Sequence, residues 1–204
     1  MARIFAMGFR PFFLLATAHA VLSMGAWLAM LLRILPSAMS RPIVWHVHEM
    51  LFGFVPAVIA GFLLTAMPKW TSSPPIVGRG LQGLVALWLI ARLAGWFAVP
   101  GQFQGLPALA NALTWSFLPV LAVVVGIPIL RAGAIRNYSV PAVLLFLSGC
   151  HGLFLHGGHI VRAETLALDL YMILMLLVGG RITPAFTRNW LNHRQLRTDD
   201  LAVP

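Results

Sequence analysis

Six long apolar stretches, each broken off by a short polar or cation-bearing gap, set the pattern of the chain. They run from about Pro11 to Leu32, Trp45 to Met67, Leu81 to Val99, Leu106 to Leu130, Val140 to Val161 and Thr165 to Ala185. A helix needs about 20 predominantly apolar residues to cross the hydrocarbon core of a bilayer. The pattern therefore predicts an all-α membrane protein, a bundle of about six transmembrane helices occupying residues 1–187, followed by a polar, solvent-exposed tail over 188–204. The first stretch is longer than the roughly 7–15 apolar residues of a signal peptide, so it reads as a retained helix. Pro56, Pro119 and Pro128 fall within or near the ends of helices, where membrane proteins tolerate proline as a source of kinks.

Composition agrees with the pattern. Of 204 residues, 60% are hydrophobic and 9% are charged, and the mean hydropathy is +0.88. Soluble domains carry about 25% charged residues, so this chain lacks the charge to cover a water-facing surface. The lipid bilayer is its solvent, as a multi-pass protein. The formal charge of +9 comes from 14 Lys and Arg against 5 Asp and Glu. These cations lie between apolar runs, which argues against a nucleic-acid partner and for a role in topology. With the N-terminus inside, Arg3, Arg10, Lys69, Arg79, Arg131, Arg136, Arg181, Arg188, Arg194 and Arg197 are cytoplasmic, while only Arg33, Arg41 and Arg162 are outside. The expected orientation is N-in/C-in. The single cysteine, Cys150, excludes an internal disulfide and a CxxC metal site.

That orientation brings the polar residues to one depth. His46, His48 and Glu49 open the second stretch at its outer end. His156 and His159 lie at the outer end of the fifth, with His151 deeper. Arg92 falls in the outer half of the third and Asp169 just below the outer surface in the sixth. His19 stands apart in the inner half. At about 100° per residue, His48 and Glu49 share a face with Trp45 and Phe52, whereas His46 points elsewhere. His156 and His159, spaced i,i+3, are expected to share a face. Glycines at 149, 152, 157 and 158 leave room for a neighbouring helix or a flat macrocycle.

Ionisable groups inside a membrane mark functional sites, and neutral imidazole is a common metal ligand. His46, His48, His151, His156 and His159 are the candidate metal ligands. The donor set suits haem iron or copper better than zinc. His48, with His156 or His159, is the expected haem-holding pair, and Glu49 would orient an imidazole. Arg92 either pairs with Asp169 or holds an anionic group of a cofactor or substrate. The structural alternatives are interfacial anchoring by Trp45 and His46 and ordinary helix packing around the histidines.

Several segments together carry a resemblance: Phe9-Arg10-Pro11-Phe12-Phe13, Trp45 through Phe54, Gly61 through Ala66, Arg136-Asn137, and Gly179-Gly180-Arg181-Ile182-Thr183-Pro184-Ala185-Phe186-Thr187. They resemble the NnrS family, over nearly the whole chain. The resemblance implies a bacterial inner-membrane protein that binds haem and copper, with nitric oxide or a similar small ligand, in nitric oxide metabolism or nitrosative stress. It also implies about twice this length and about twelve spans, so the match is to the N-terminal half. The chain is then a short member, a fragment, or one that needs a second copy or a partner to supply the rest. Lys69 departs from the pattern, where an asparagine-type residue is expected. The competing reading is a small polytopic transporter or proton relay built on His48, Glu49, Arg92 and Asp169. Whether the protein is an enzyme is not legible at this level.

Overall fold

A computed structural model describes residues 3–35, 41–98 and 107–194. The described elements are helical: α1 (Phe9–Leu31), α2 (Pro42–His48), a π-helical turn (Glu49–Phe54), α3 (Val55–Thr71), α4 (Gly78–Ala98), α5 (Pro107–Trp115), α6 (Phe117–Arg131), α7 (Ser139–His156) and α8 (Ile160–His193), with short 3₁₀ turns at Arg3–Ala6 and Ile135–Asn137. Stacked end to end, α2 with α3 and α5 with α6 make single rods, so these elements form six rods. Among the described residues, five are long and apolar enough to cross a membrane. The chain is an all-α membrane bundle.

The α2–α3 rod is central. In its most apolar window 56% of the residues are buried, against 17% for α1 and α8 at the margin. Its buried Leu63, Leu64 and Met67 pack with Phe12 and Ala16 of α1, Leu81 and Trp88 of α4, Phe117, Leu121 and Val125 of α6, and Leu144, Leu147 and Phe154 of α7. The outer surfaces of α1 and α8 expose Leu14, Val21, Leu22, Leu166, Met172, Met175 and Leu176. That distribution suits a bundle dissolved in lipid, where apolar side chains need no cover.

Two of the expected continuous stretches are interrupted, and proline is the local cause in each. Pro119 removes the N–H that would reach the Trp115 carbonyl four residues back, and the rod breaks at Ser116 between α5 and α6. In the central rod the Val55 N–H reaches back five residues to the Met50 carbonyl. The next donor in that register would be Pro56, which has none, so the Leu51 carbonyl is left to find a partner elsewhere. The Tyr171 hydroxyl of α8 donates to it at 2.5 Å. Two residues on, the Trp88 indole of α4 donates to the Gly53 carbonyl at 3.1 Å. Side chains from two other helices thus complete the irregular turn. Tyr171→Phe is expected to cost about 1–3 kcal/mol by orphaning a buried carbonyl. Thermal unfolding in detergent checks this, with Tyr138→Phe as the exposed control; equal midpoints for the two variants would refute the role.

The fifth stretch is shorter than its hydropathy suggests. It ends at His156 because Gly157 takes the left-handed conformation, φ 82°, that halts a helix. His159 then caps α8 instead of continuing α7. At the other end α8 runs through His193, so residues 188–193, expected in the tail, are helical.

Candidate functional site

The π turn carries Glu49 into the middle of the bundle. An α-helix closes a turn every 3.6 residues, and the wider turn here shifts the register between α2 and α3. Trp45, His48, Glu49 and Phe52 come to the buried face, as their spacing predicts; His48 and Glu49 are both 0% exposed. Their backbone belongs to one rod, but their partners come from three others.

Glu49 is the hub. Its Oε1 accepts a hydrogen bond from His48 Nδ1 at 2.8 Å. Its Oε2 accepts from Arg92 Nη1 of α4 at 3.1 Å. His19 Nε2 of α1 lies 3.1 Å from the same Oε2, at ion-pair distance but outside hydrogen-bond geometry. Arg92 therefore pairs with Glu49 and not with Asp169. The expected Arg92–Asp169 pair fails because Asp169 lies on the exposed face of α8. Matching depth along the membrane normal does not establish that two residues face each other across the bundle.

On its far side His48 meets His151. The two Nε2 atoms are 3.0 Å apart. With Nδ1–H donated to Glu49, a neutral His48 has a bare Nε2, so His151 Nε2–H is the donor. The hydrogen-bonded order is then His151 to His48 to Glu49, with Arg92 on the other carboxylate oxygen. Phe52 stacks flat on the His151 ring, 4.3 Å between centroids and 3° between planes. Phe154 packs 5.4 Å from the His48 ring. Phe52, on the face it shares with His48 and Glu49, thus holds the His151 imidazole.

Backbone closeness shapes the other side. A Cβ on Gly95 would sit 2.6 Å from Glu49 Oε1, and one on Gly53 would sit 2.5 Å from Arg92 Nη1 and 2.9 Å from His19 Nε2. Both glycines are cut to the size of the cluster. Arg92 Nε, Arg92 Nη2 and His151 Nδ1 are buried without a hydrogen-bond partner in the protein. Donor and acceptor capacity thus remains beside the paired groups.

The remaining candidates lie elsewhere. His46 is half-buried and stacks on Trp27, 4.4 Å between centroids and 18° between planes. His156 and His159 are exposed on either side of the Gly157–Gly158 turn. They are not on one helical face, since the helix ends between them, and they are not brought to His48. His19 is the member of the cluster that sequence placed apart. A histidine alone in a charge-free span was the available signal. The partner of the π turn, Tyr171, gave none.

Two imidazole nitrogens 3.0 Å apart can each reach one ion at the roughly 2.0–2.1 Å of a metal–imidazole bond, at an angle near 90–100°. An iron with one imidazole on each face of a haem needs about 4 Å between nitrogens, so this gap does not admit a haem so ligated. Among the described residues no group of three or more His, Cys, Asp or Glu side chains has the arrangement of a closed metal site. What the cluster offers is two borderline nitrogen donors: His48 Nε2, oriented by a carboxylate as metal-ligating histidines commonly are, and His151 Nε2, which becomes a donor when its proton moves to the unpartnered Nδ1.

A family model described as "NnrS protein" matches residues 3–203 of the chain. No curated protein matches it, and no solved structure does.

Proposed function

The chain belongs to the NnrS family, and on that footing we propose a multi-pass protein of the bacterial inner membrane, acting in nitric oxide metabolism or the nitrosative-stress response through a redox metal held by His48 and His151. The observation that carries this reading is the 3.0 Å approach of the two Nε2 atoms, with His48 fixed from behind by Glu49 at 2.8 Å. Copper suits two imidazoles better than haem does. With two protein donors, the remaining positions of such an ion are open to exogenous ligands. Nitric oxide is small and apolar enough to arrive through the lipid. Glu49 holds the His48 tautomer with Nε2 available, and the Arg92 guanidinium balances the carboxylate.

Metal analysis and visible spectra of protein extracted from copper- and haem-supplied cells test the proposal. The wild type is expected to retain copper, His48→Ala and His151→Ala to lose at least tenfold of it, a lower bound set by the effect of removing a supporting partner, and His156→Ala and His159→Ala to keep it. A metal-free wild type, or copper unaffected in both buried variants, would defeat the assignment. A Soret band lost in His156→Ala or His159→Ala would instead assign haem to the exposed histidines. The continuous chain from His151 through His48 to Glu49 favours one second reading, a proton-relay transporter, which requires proton flux by metal-free protein.

A further inference from the structure

The opposite end of the bundle holds a second polar site. A cavity of about 420 Å³ is lined by Trp70 near the end of α3, Arg136 and Asn137 of the 3₁₀ turn before α7, and Gly180, Arg181, Pro184, Ala185 and Arg188 of α8. Its volume is that of a small-molecule site, roughly 300–1,000 Å³. Charge asymmetry assigns this end to the cytoplasmic surface.

Three guanidiniums meet there, with no carboxylate beside them among the described residues. The described residues contain three acidic side chains, Glu49, Glu164 and Asp169. Glu49 is engaged in the central cluster. Asp169 precedes Arg181 on α8 by twelve residues, or about 18 Å along the axis, and Glu164 is farther still. Arg181 is held in place from two directions: its Nη1 donates to Asn137 Oδ1 at 2.5 Å and its Nη2 to the Arg136 carbonyl. That clamp ties the 3₁₀ turn to α8 and sets the backbone from which the Arg136 side chain leaves. Arg136 and Arg188 are exposed and form no ion pair among the described residues.

We propose that this cavity binds the phosphate group of an anionic ligand at the cytoplasmic membrane surface. Guanidinium forks match the oxygens of a phosphate, and a tetrahedral group can accept from arginines converging from different elements. The cavity is larger than a bare phosphate requires, and the half-buried indole of Trp70 gives it an apolar wall at the depth where tryptophan meets headgroups. The ligand is therefore a phosphate borne on a larger body, either a phospholipid headgroup or a soluble phosphate compound.

The test uses the full chain in mild detergent, with phosphatidylglycerol, phosphatidylcholine and inorganic pyrophosphate as probes, read by retained mass in native mass spectrometry and by thermal midpoint. The variants are Arg136→Gln with Arg188→Gln, and Arg79→Gln as an exposed cation at the same end outside the cavity. Arg181 is left intact because its loss would also release the turn. Phosphatidylglycerol retention that falls about tenfold or more in the double variant and survives Arg79→Gln supports the site with a lipid source. The same pattern with pyrophosphate alone supports it with a soluble source. Retention of neither probe overturns the proposal, and so does loss that is as large in Arg79→Gln.

Discussion

Glu49→Ala is expected to be the most damaging single change in the chain, with most of the extracted protein lost to aggregation. The carboxylate stands between Arg92 at 3.1 Å and His48 at 2.8 Å, with His19 at 3.1 Å, and its side chain is fully buried. Removing one member of a buried pair leaves the other charge desolvated and unpaired, at a cost of about 3–5 kcal/mol. Folded proteins stand only about 5–15 kcal/mol above their unfolded states. Because the cost comes from the stranded guanidinium, removing that charge too should recover most of the loss, so Glu49→Gln with Arg92→Met is expected to extract as a folded species. Asp169→Ala, on the exposed face of α8, should leave yield unchanged. Fluorescence-detected size exclusion after extraction reads all three. A Glu49→Ala protein as monodisperse as the wild type would mean that Arg92 finds another partner and that Glu49 is not the hub.

The second large effect separates the two oxygens of that carboxylate. Gly95→Ala places a methyl group 2.6 Å from Oε1, the oxygen that orients His48, while Gly53→Ala places one 2.5 Å from Arg92 Nη1, on the Oε2 side. Overpacking of this kind costs about 1–3 kcal/mol, so the two variants should lower the thermal midpoint by similar amounts. Their effects on metal should differ. Displacing Oε1 disturbs the imidazole that faces His151, and loss of such a supporting partner typically weakens metal affinity about 10–100-fold. Displacing Arg92 leaves His48 and its acceptor in place. Copper retention is therefore expected to fall in Gly95→Ala and to hold in Gly53→Ala. Equal retention at equal stability would detach the orientation of His48 from metal binding.

Much of this architecture is legible in the sequence. The six apolar stretches and their gaps specify the rods, because a bilayer permits little else of that length. The buried face of the second rod followed from helical spacing at Trp45, His48, Glu49 and Phe52. What escaped the sequence has identifiable causes. Hydropathy does not register Gly157, since a left-handed residue ends a helix without ending the apolar run, and so the i,i+3 spacing of His156 and His159 suggests a shared face that the fold does not provide. Charge and depth suggested Asp169 for Arg92, but the azimuth of α8 turns Asp169 outward. Depth counted from the helix ends separates His19 from the other polar residues. His19 sits about 15 Å along α1 from Phe9, near the middle of the span and within reach of a carboxylate approaching from the other side. The π turn was invisible as well. Pro56 announces a disturbance, but whether proline kinks a helix or widens one of its turns depends on what stands ready to take the freed carbonyls.

The wide turn at Glu49–Phe54 makes rotational phase a property of the chemistry. Were that turn to close into ordinary α-helix, the segment before it would swivel by about 100° and slide by about 1.5 Å against the segment after it. His48 would leave His151, and the Leu51 carbonyl would no longer need Tyr171. The central rod is thus a two-piece shaft whose coupling is a single residue of winding, and the tyrosine and tryptophan from neighbouring helices act as its key. A rotation of the segment before the turn would carry His48 with it, since His48 is the last residue of that segment.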